Sequence, residues 1–274
     1  MRSRTQLDTL SALAMVLAIV SSSAVAVAAA PACPASSTDP KTELGPCEKK
    51  SADACVASGD ALMKVAGCRD VAVTRYQQAC DRKVLRGCSK LAFRLVENSS
   101  DAVVLKKAIA LFTQACDGGD ALGCSNLATF YWDGEGVPKD VKKAAALAEK
   151  ACTGSDAFAC GTLGSLIAQG ELGKPDDSKA AGLFKKACEG GSASGCNQLG
   201  LMTLDGRGVK KSVDGAMSLF VKACGEGNAA SCTNAGLVLR KQGDDAKAAK
   251  AFKRACSLGD ENGCKERGLP GPEE

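Results

Sequence analysis

Apolar residues recur three and four positions apart along most of this chain, and glycine, proline and aspartate cut each run short. That pattern predicts short amphipathic helices joined by tight turns. The segment 116–152 shows it in full. Cys116 ends one helix, and Asp117-Gly118-Gly119-Asp120 forms a turn in which glycine supplies the positive φ that stops it. Ala121 opens a helix with Cys124, Leu127, Ala128, Phe130 and Tyr131 on one face, and Asp133-Gly134-Glu135-Gly136-Val137-Pro138 breaks it. Asp140 is placed as N-cap of the next helix, which carries Ala144, Ala145, Leu147, Ala148 and Ala151 and ends at Cys152. The same plan predicts helices over 85–96 and 101–116, 161–168 and 177–188, 196–204 and 212–224, and 232–240 and 244–256, with a weaker unit at 52–80. The unit is a helical hairpin, and a chain of such hairpins is an all-α solenoid.

Cysteine spacing gives the period. Fourteen of the sixteen cysteines form seven Cys-x7-Cys pairs: Cys47/Cys55, Cys80/Cys88, Cys116/Cys124, Cys152/Cys160, Cys188/Cys196, Cys224/Cys232 and Cys256/Cys264. The leading cysteines from Cys80 to Cys224 recur every 36 residues and the last step is 32. This is an internal repeat with one staple per unit, joining the end of one hairpin to the start of the next. Each bridge closes a loop of nine residues, worth about 2.5 kcal/mol of denatured-state entropy in the chain-entropy account. Structural zinc needs closer cysteine pairs gathered in fours, so the thiols read as disulfides and no metal is expected.

The first 30 residues read as a secretory signal. Arg2 and Arg4 precede an apolar run from Leu10 to Val20, and small residues around Ala28 and Ala30 offer a cleavage site. A linker over 31–46, a repeat array over 47–264 of about six units, and a disordered tail over 265–274 complete the division. Export to a periplasmic or extracellular space suits disulfides. Cys33 and Cys68 remain outside the pairs. Either they bridge each other, or Cys33 is lipidated and anchors the chain in the envelope.

Length and composition narrow the chemistry. The 274 residues hold 35 Lys+Arg against 31 Asp+Glu, a net charge of +4, with the signs interspersed. No basic stripe interleaved with aromatics marks a nucleic-acid surface. Histidine is absent, which removes His-ligated metals and histidine-based triads. Ser-x-x-Lys, Ser-Asp-Asn and Lys-Thr-Gly, the elements of serine β-lactamases, do not occur. Ser165 and Ser192 read as polar caps, and Asp176-Asp177 and Asp244-Asp245 as helix N-caps. No cofactor and no catalytic residue is assigned.

Gly134-Glu135-Gly136-Val137, Gly206-Arg207-Gly208-Val209 and the repeated Lys-Ala-Cys at 150–152, 186–188 and 222–224 resemble Sel-1-like repeats, in particular the Helicobacter-type cysteine-rich (Hcp-like) family. The resemblance covers about 47–264. It implies an adaptor that binds a protein or peptide on a concave face lined by the first helix of each hairpin. Some cysteine-rich members are described as penicillin-binding with weak β-lactamase activity, which is the alternative reading.

Solvent-side positions of that first helix fall two, five and nine residues after the second cysteine. Lys90, Asn126, Thr129, Trp132, Thr162, Gln198 and Asn234 are the binding candidates, with amides or hydroxyls forming a ladder two residues on and Trp132 as the aromatic anchor. Phe93, Ser165, Leu201 and Leu237 share the face, while Tyr131 reads as core. Three and four residues on, a large residue sits beside a small one, as in Leu199-Gly200, and lets a neighbouring helix backbone approach. The chain is expected to act as a monomer.

Overall fold

A computed structural model describes Cys33, residues 52–97 and residues 99–266. The expected signal, the linker apart from Cys33, Cys47 and residues 267–274 lie outside the described residues. Thirteen helices and no strand are found among the described residues. Six hairpins follow one another: α1 (Ala52–Leu62) with α2 (Arg69–Asp81), α3 (Leu85–Val96) with α4 (Ala102–Asp117), α5 (Ala121–Asp133) with α6 (Val141–Thr153), α7 (Ala157–Ala168) with α8 (Asp177–Glu189), α9 (Ala193–Asp205) with α10 (Val213–Gly225), and α11 (Ala229–Lys241) with α12 (Asp245–Ser257). The short α13 (Glu261–Glu266) opens a seventh unit and carries the array two residues into the expected tail.

The first helices of the last three hairpins, α7, α9 and α11, start three or four residues before the predicted boundary. Asp156, Ser192 and Asn228 cap α7, α9 and α11 by accepting from the N–H of Ala159, Gly195 and Ser231. These caps add a helical turn ahead of the cysteine. Helix α4 is 16 residues long against 13 for α6, because Asp101 caps it one turn early in place of a Gly-x-Gly loop. At the other end of α5 and α9, Gly134 and Gly206 take φ of 76° and 78°, a left-handed stop that suits glycine.

Each hairpin closes on a ring. Four residues before the leading cysteine stand Tyr76, Phe112, Phe184, Phe220 and Phe252, all buried. Their rings lie on the small residue of the facing helix: a Cβ at Gly200 would come within 2.6 Å of Phe220 Cε1, and one at Gly236 within 2.5 Å of Phe252 Cε1. The small positions therefore seat a ring of the same hairpin, where the sequence pattern predicts an approaching backbone. Hairpin α5–α6 has Ala148 facing Ala128 instead, and Tyr131 and Trp132 pack against that cluster.

Seven disulfides are described with both partners. Six join successive hairpins: Cys80–Cys88, Cys116–Cys124, Cys152–Cys160, Cys188–Cys196, Cys224–Cys232 and Cys256–Cys264, each spanning eight positions. Cys33–Cys68 is the seventh. A sulfur held in that bridge cannot carry a lipid. Cys55 is also disulfide-bonded, and its expected partner Cys47 lies outside the described residues. Cys55 and Cys232, both read from the sequence as staple cysteines, are 0 % exposed. Cys55 packs against Ala79, and Cys232 opens no face to solvent, so both act as buried staples that no ligand can reach.

Beside four of the six staples the helices touch through alanine and glycine: a Cβ on Gly87 or Gly195 would meet Ala79 or Ala187 Cβ at 2.5 Å. Ala159 and Ser231 do carry a Cβ there, and their bridges have the longest Cα–Cα distances, 4.7 and 4.8 Å. This close approach is what buries the sulfurs, a consequence the spacing alone does not show.

Polar groups lock the same seams. Ser89 and Ser125 donate to the cap carboxylates Asp120 and Asp156 of the next unit at 2.5 and 3.0 Å, and Thr233 donates to Asp260. Lys150 and Lys222 reach back one unit to the carbonyls of Cys116 and Cys188, at 2.7 and 3.0 Å. In these two Lys-Ala-Cys strings the lysine thus caps the C-terminal end of the preceding second helix.

Candidate interaction surface

Successive odd-numbered helices pack directly on one another from α1 to α9, and α11 on α13, while no even-numbered pair does so to that extent. The odd helices therefore lie on the inside of the array's curve. Their outward positions form a run of three hollows. The first, about 370 Å³, is bounded by Lys90, Phe93, Arg94, Asn126 and Phe158. The second, about 140 Å³, lies among Trp132, Phe158, Thr162, Ser165 and Gln198. The third, about 680 Å³, lies between α9 and α11 and includes Leu201, Asn234 and Leu237.

The structure sorts the sequence-derived candidates. Lys90, Asn126, Gln198 and Asn234 are half-buried and line these hollows. Thr129 is half-buried and its hydroxyl donates to the Ser125 carbonyl at 3.4 Å. Thr162 differs from expectation: it is buried, and its hydroxyl donates to the Phe158 carbonyl at 3.2 Å. The amide ladder is already partly engaged, since Asn126 donates to the Leu122 carbonyl and Asn234 to Asn197 Oδ1, at 2.8 and 2.9 Å. Trp132 is half-buried, with Nε1 donating to Glu171 at 3.0 Å. It is a fixed wall of the second hollow. Ser192 caps α9 as expected, whereas Ser165 sits inside α7.

Phe158 escaped the periodic reading. It stands two residues before Cys160, on the first turn of α7, and is 58 % exposed between two hollows. The helix start at Ala157, set by the Asp156 cap, is the signal that would have placed it on the face. Phe93 and Leu237, each 39 % exposed, add apolar surface before and after it.

Charge gathers at the α1–α3 end. Lys90 pairs with Asp60 at 2.7 Å and lies 5.8 Å from the Tyr76 ring centroid, while Arg94 pairs with Glu97 at 2.8 Å. The Arg94 hydrogen bond, with Arg69 adding to it, holds the Glu97 carboxyl below the usual carboxylate value. Burial, followed by the hydrogen bond to Asp60, raises the Tyr76 phenol far above the ordinary tyrosine value.

Set beside known proteins, this geometry has relatives. The chain is similar to the crystal structure of c5321, a protective antigen of uropathogenic Escherichia coli strains (TM-score 0.62, 22 % identity, 83 % of this chain and 52 % of that one). It spans about half the length of that protein. It is also similar to a Sel1 repeat protein from Oxalobacter formigenes (TM-score 0.62, 25 % identity, 77 % of this chain and 87 % of that one). Helicobacter pylori cysteine rich protein B is 32 % identical over 47 % of this chain and 92 % of its own, with a TM-score of 0.39. No curated protein matches. The Sel1 repeat profile matches residues 89–120, 121–156, 157–192, 193–228 and 230–260, and the chain belongs to the Sel1 repeat family.

Proposed function

We propose that the protein is an exported adaptor of the periplasm or cell exterior that binds a protein or peptide on its odd-helix face. Sel1 repeat proteins act as protein-interaction scaffolds. The described disulfides point to an oxidising environment. The observation that carries the choice of face is the series Phe93, Phe158 and Leu237: large apolar side chains left exposed on a rigid, covalently stapled surface. Apolar anchors beside partly satisfied amides suit a polypeptide ligand.

The test is capture of the partner by the oxidised protein, compared with a Phe93→Ser/Phe158→Ser double variant. Both positions are exposed, so thermal stability should hold while capture falls. Undiminished capture by the double variant would show that the partner uses another surface.

A further inference from the structure

We infer that the hollow between α9 and α11 is a socket for a short acidic-apolar segment of the partner, which takes the place of a loop this hairpin lacks. The inference rests on the odd-helix face being the binding face and names the partner's chemistry at one end of it.

In hairpins α5–α6 and α9–α10 the loop lies against the first turn of the preceding hairpin's second helix. Gly136 lies beside Leu105 and Ile109. Gly208 abuts the backbone of Asp177 and Ser178, and Arg207 donates twice to the Asp177 carboxylate at 3.2 and 2.6 Å. Leu105 is buried and Val141, the next residue at that register, half-buried. The register then falls on Asp177 and on Val213. Hairpin α9–α10 has six residues, 206–211, between its first helix and the Ser212 cap, whereas α11–α12 has only Gln242 and Gly243 before the Asp244 cap. These four missing residues are the 32-residue step in the cysteine period. Val213, at this register, is left 39 % exposed.

The neighbouring seam is also opened. Ser231 brings a Cβ where Gly87, Gly123 and Gly195 have none, its bridge has the longest Cα–Cα distance, 4.8 Å, and α9 approaches α11 less closely than other successive odd helices approach each other. The resulting cavity of about 680 Å³ is walled by Leu201, Val213, Leu237 and Val238, with Lys211 and Lys241 at its edge. Neither lysine has an acidic partner among the described residues, and Asp205 on the same edge leaves one positive charge in excess. A cavity of this size holds one or two apolar side chains. The lysines select a carboxylate beside them, and at the equivalent place over Asp177 the six-residue loop 206–211 supplies the covering segment.

The probe is a fluorescein-labelled acetyl-Asp-Leu-Gly-Leu-Asp-amide, titrated into the full-length, disulfide-intact protein and compared with the same peptide carrying lysine for aspartate. The acidic peptide should bind at least roughly tenfold more tightly, and Lys211→Gln/Lys241→Gln should erase most of that preference. Replacing 242–243 by a copy of 206–211 should fill the socket and abolish binding. Val213→Glu, at an exposed position, should do so by charge and serves if the graft does not fold. Equal binding of the two peptides, no binding of either at about 1 mM, or undiminished binding by the graft and by Val213→Glu would each overturn the socket. Binding that survives the graft but is lost in Phe158→Ser would overturn the socket and leave the odd-helix face intact as the binding surface.

Discussion

At Gly161 the ladder of hydroxyl-to-cap hydrogen bonds loses a rung. Its counterparts Ser89, Ser125 and Thr233 each donate to a cap carboxylate of the next unit, while Ser192, the cap opposite Gly161, bonds only its own helix. A Cβ at Gly161 would meet nothing closer than Ala187 Cβ at 3.8 Å. Gly161→Ser should therefore stabilise the chain by about 1 kcal/mol, through helix propensity and a new hydrogen bond to Ser192. Gly161→Ala should recover only the propensity share, and urea unfolding separates the two. The opposite case is Gly200→Leu, which drives a side chain into the Phe220 ring and should cost about 1–3 kcal/mol; adding Phe220→Ala should return part of that loss. Tyr76 gives a pH signature. Its folded-state pKa is raised, so its contribution is complete below the ordinary tyrosine value near 10 and is lost as pH climbs from there towards the folded value. Wild type should lose stability over that alkaline range relative to Tyr76→Phe, and chemical denaturation at stepped pH reads the difference. The sequence marks these glycines as small but not what they face, since a ring twenty residues away becomes a neighbour only after the hairpin closes.

Between elements, the seams are legible in proportion to how local their causes are. The N-caps Asp140, Asp176 and Asp244 and the glycine stops were readable because cap and helix are adjacent in sequence. The pairing of Cys224 with Cys232 was equally local, but the full burial of Cys232 was not, because it depends on α10 and α11 closing over the bridge. The Lys-Ala-Cys string was visible as a motif, but its purpose was not, because Lys222 acts on a carbonyl 34 residues upstream. Helix ends concentrate partial negative charge, so the Lys222 ammonium, 3.0 Å from the Cys188 oxygen, serves the preceding helix. Lys222→Met keeps the stem and removes the charge. It should destabilise by about 1 kcal/mol at low salt and less at high salt, as thermal melts at two ionic strengths would show. The surface was less legible than the frame. Exposed positions obey no packing rule, so a two-five-nine spacing found Lys90, Asn126 and Leu237, missed Phe158, and placed Thr162 outside when α7 turns it inward.

For the whole molecule, each hairpin touches little beyond its neighbours, so cohesion is carried junction by junction. A staple at every described junction makes six short links of similar strength, each closing nine residues and worth about 2.5 kcal/mol in the chain-entropy account. The position of a missing staple should then matter more than its number. Replacing Cys188 and Cys196 by alanine weakens the middle of the array, between α8 and α9, and should split unfolding into two transitions, one for each flank. Replacing Cys256 and Cys264 loosens only α13 from α12, at one end, and should leave the main transition in place with an early loss of a small amount of helix. Both double variants remove one nine-residue closure, so an account based on total cross-linking alone predicts identical melts. Urea unfolding followed by far-UV circular dichroism, with thiol titration confirming that the remaining cysteines stay bridged, decides between them. Superimposable curves would mean that the array behaves as one cooperative body and that coupling reaches well past nearest neighbours.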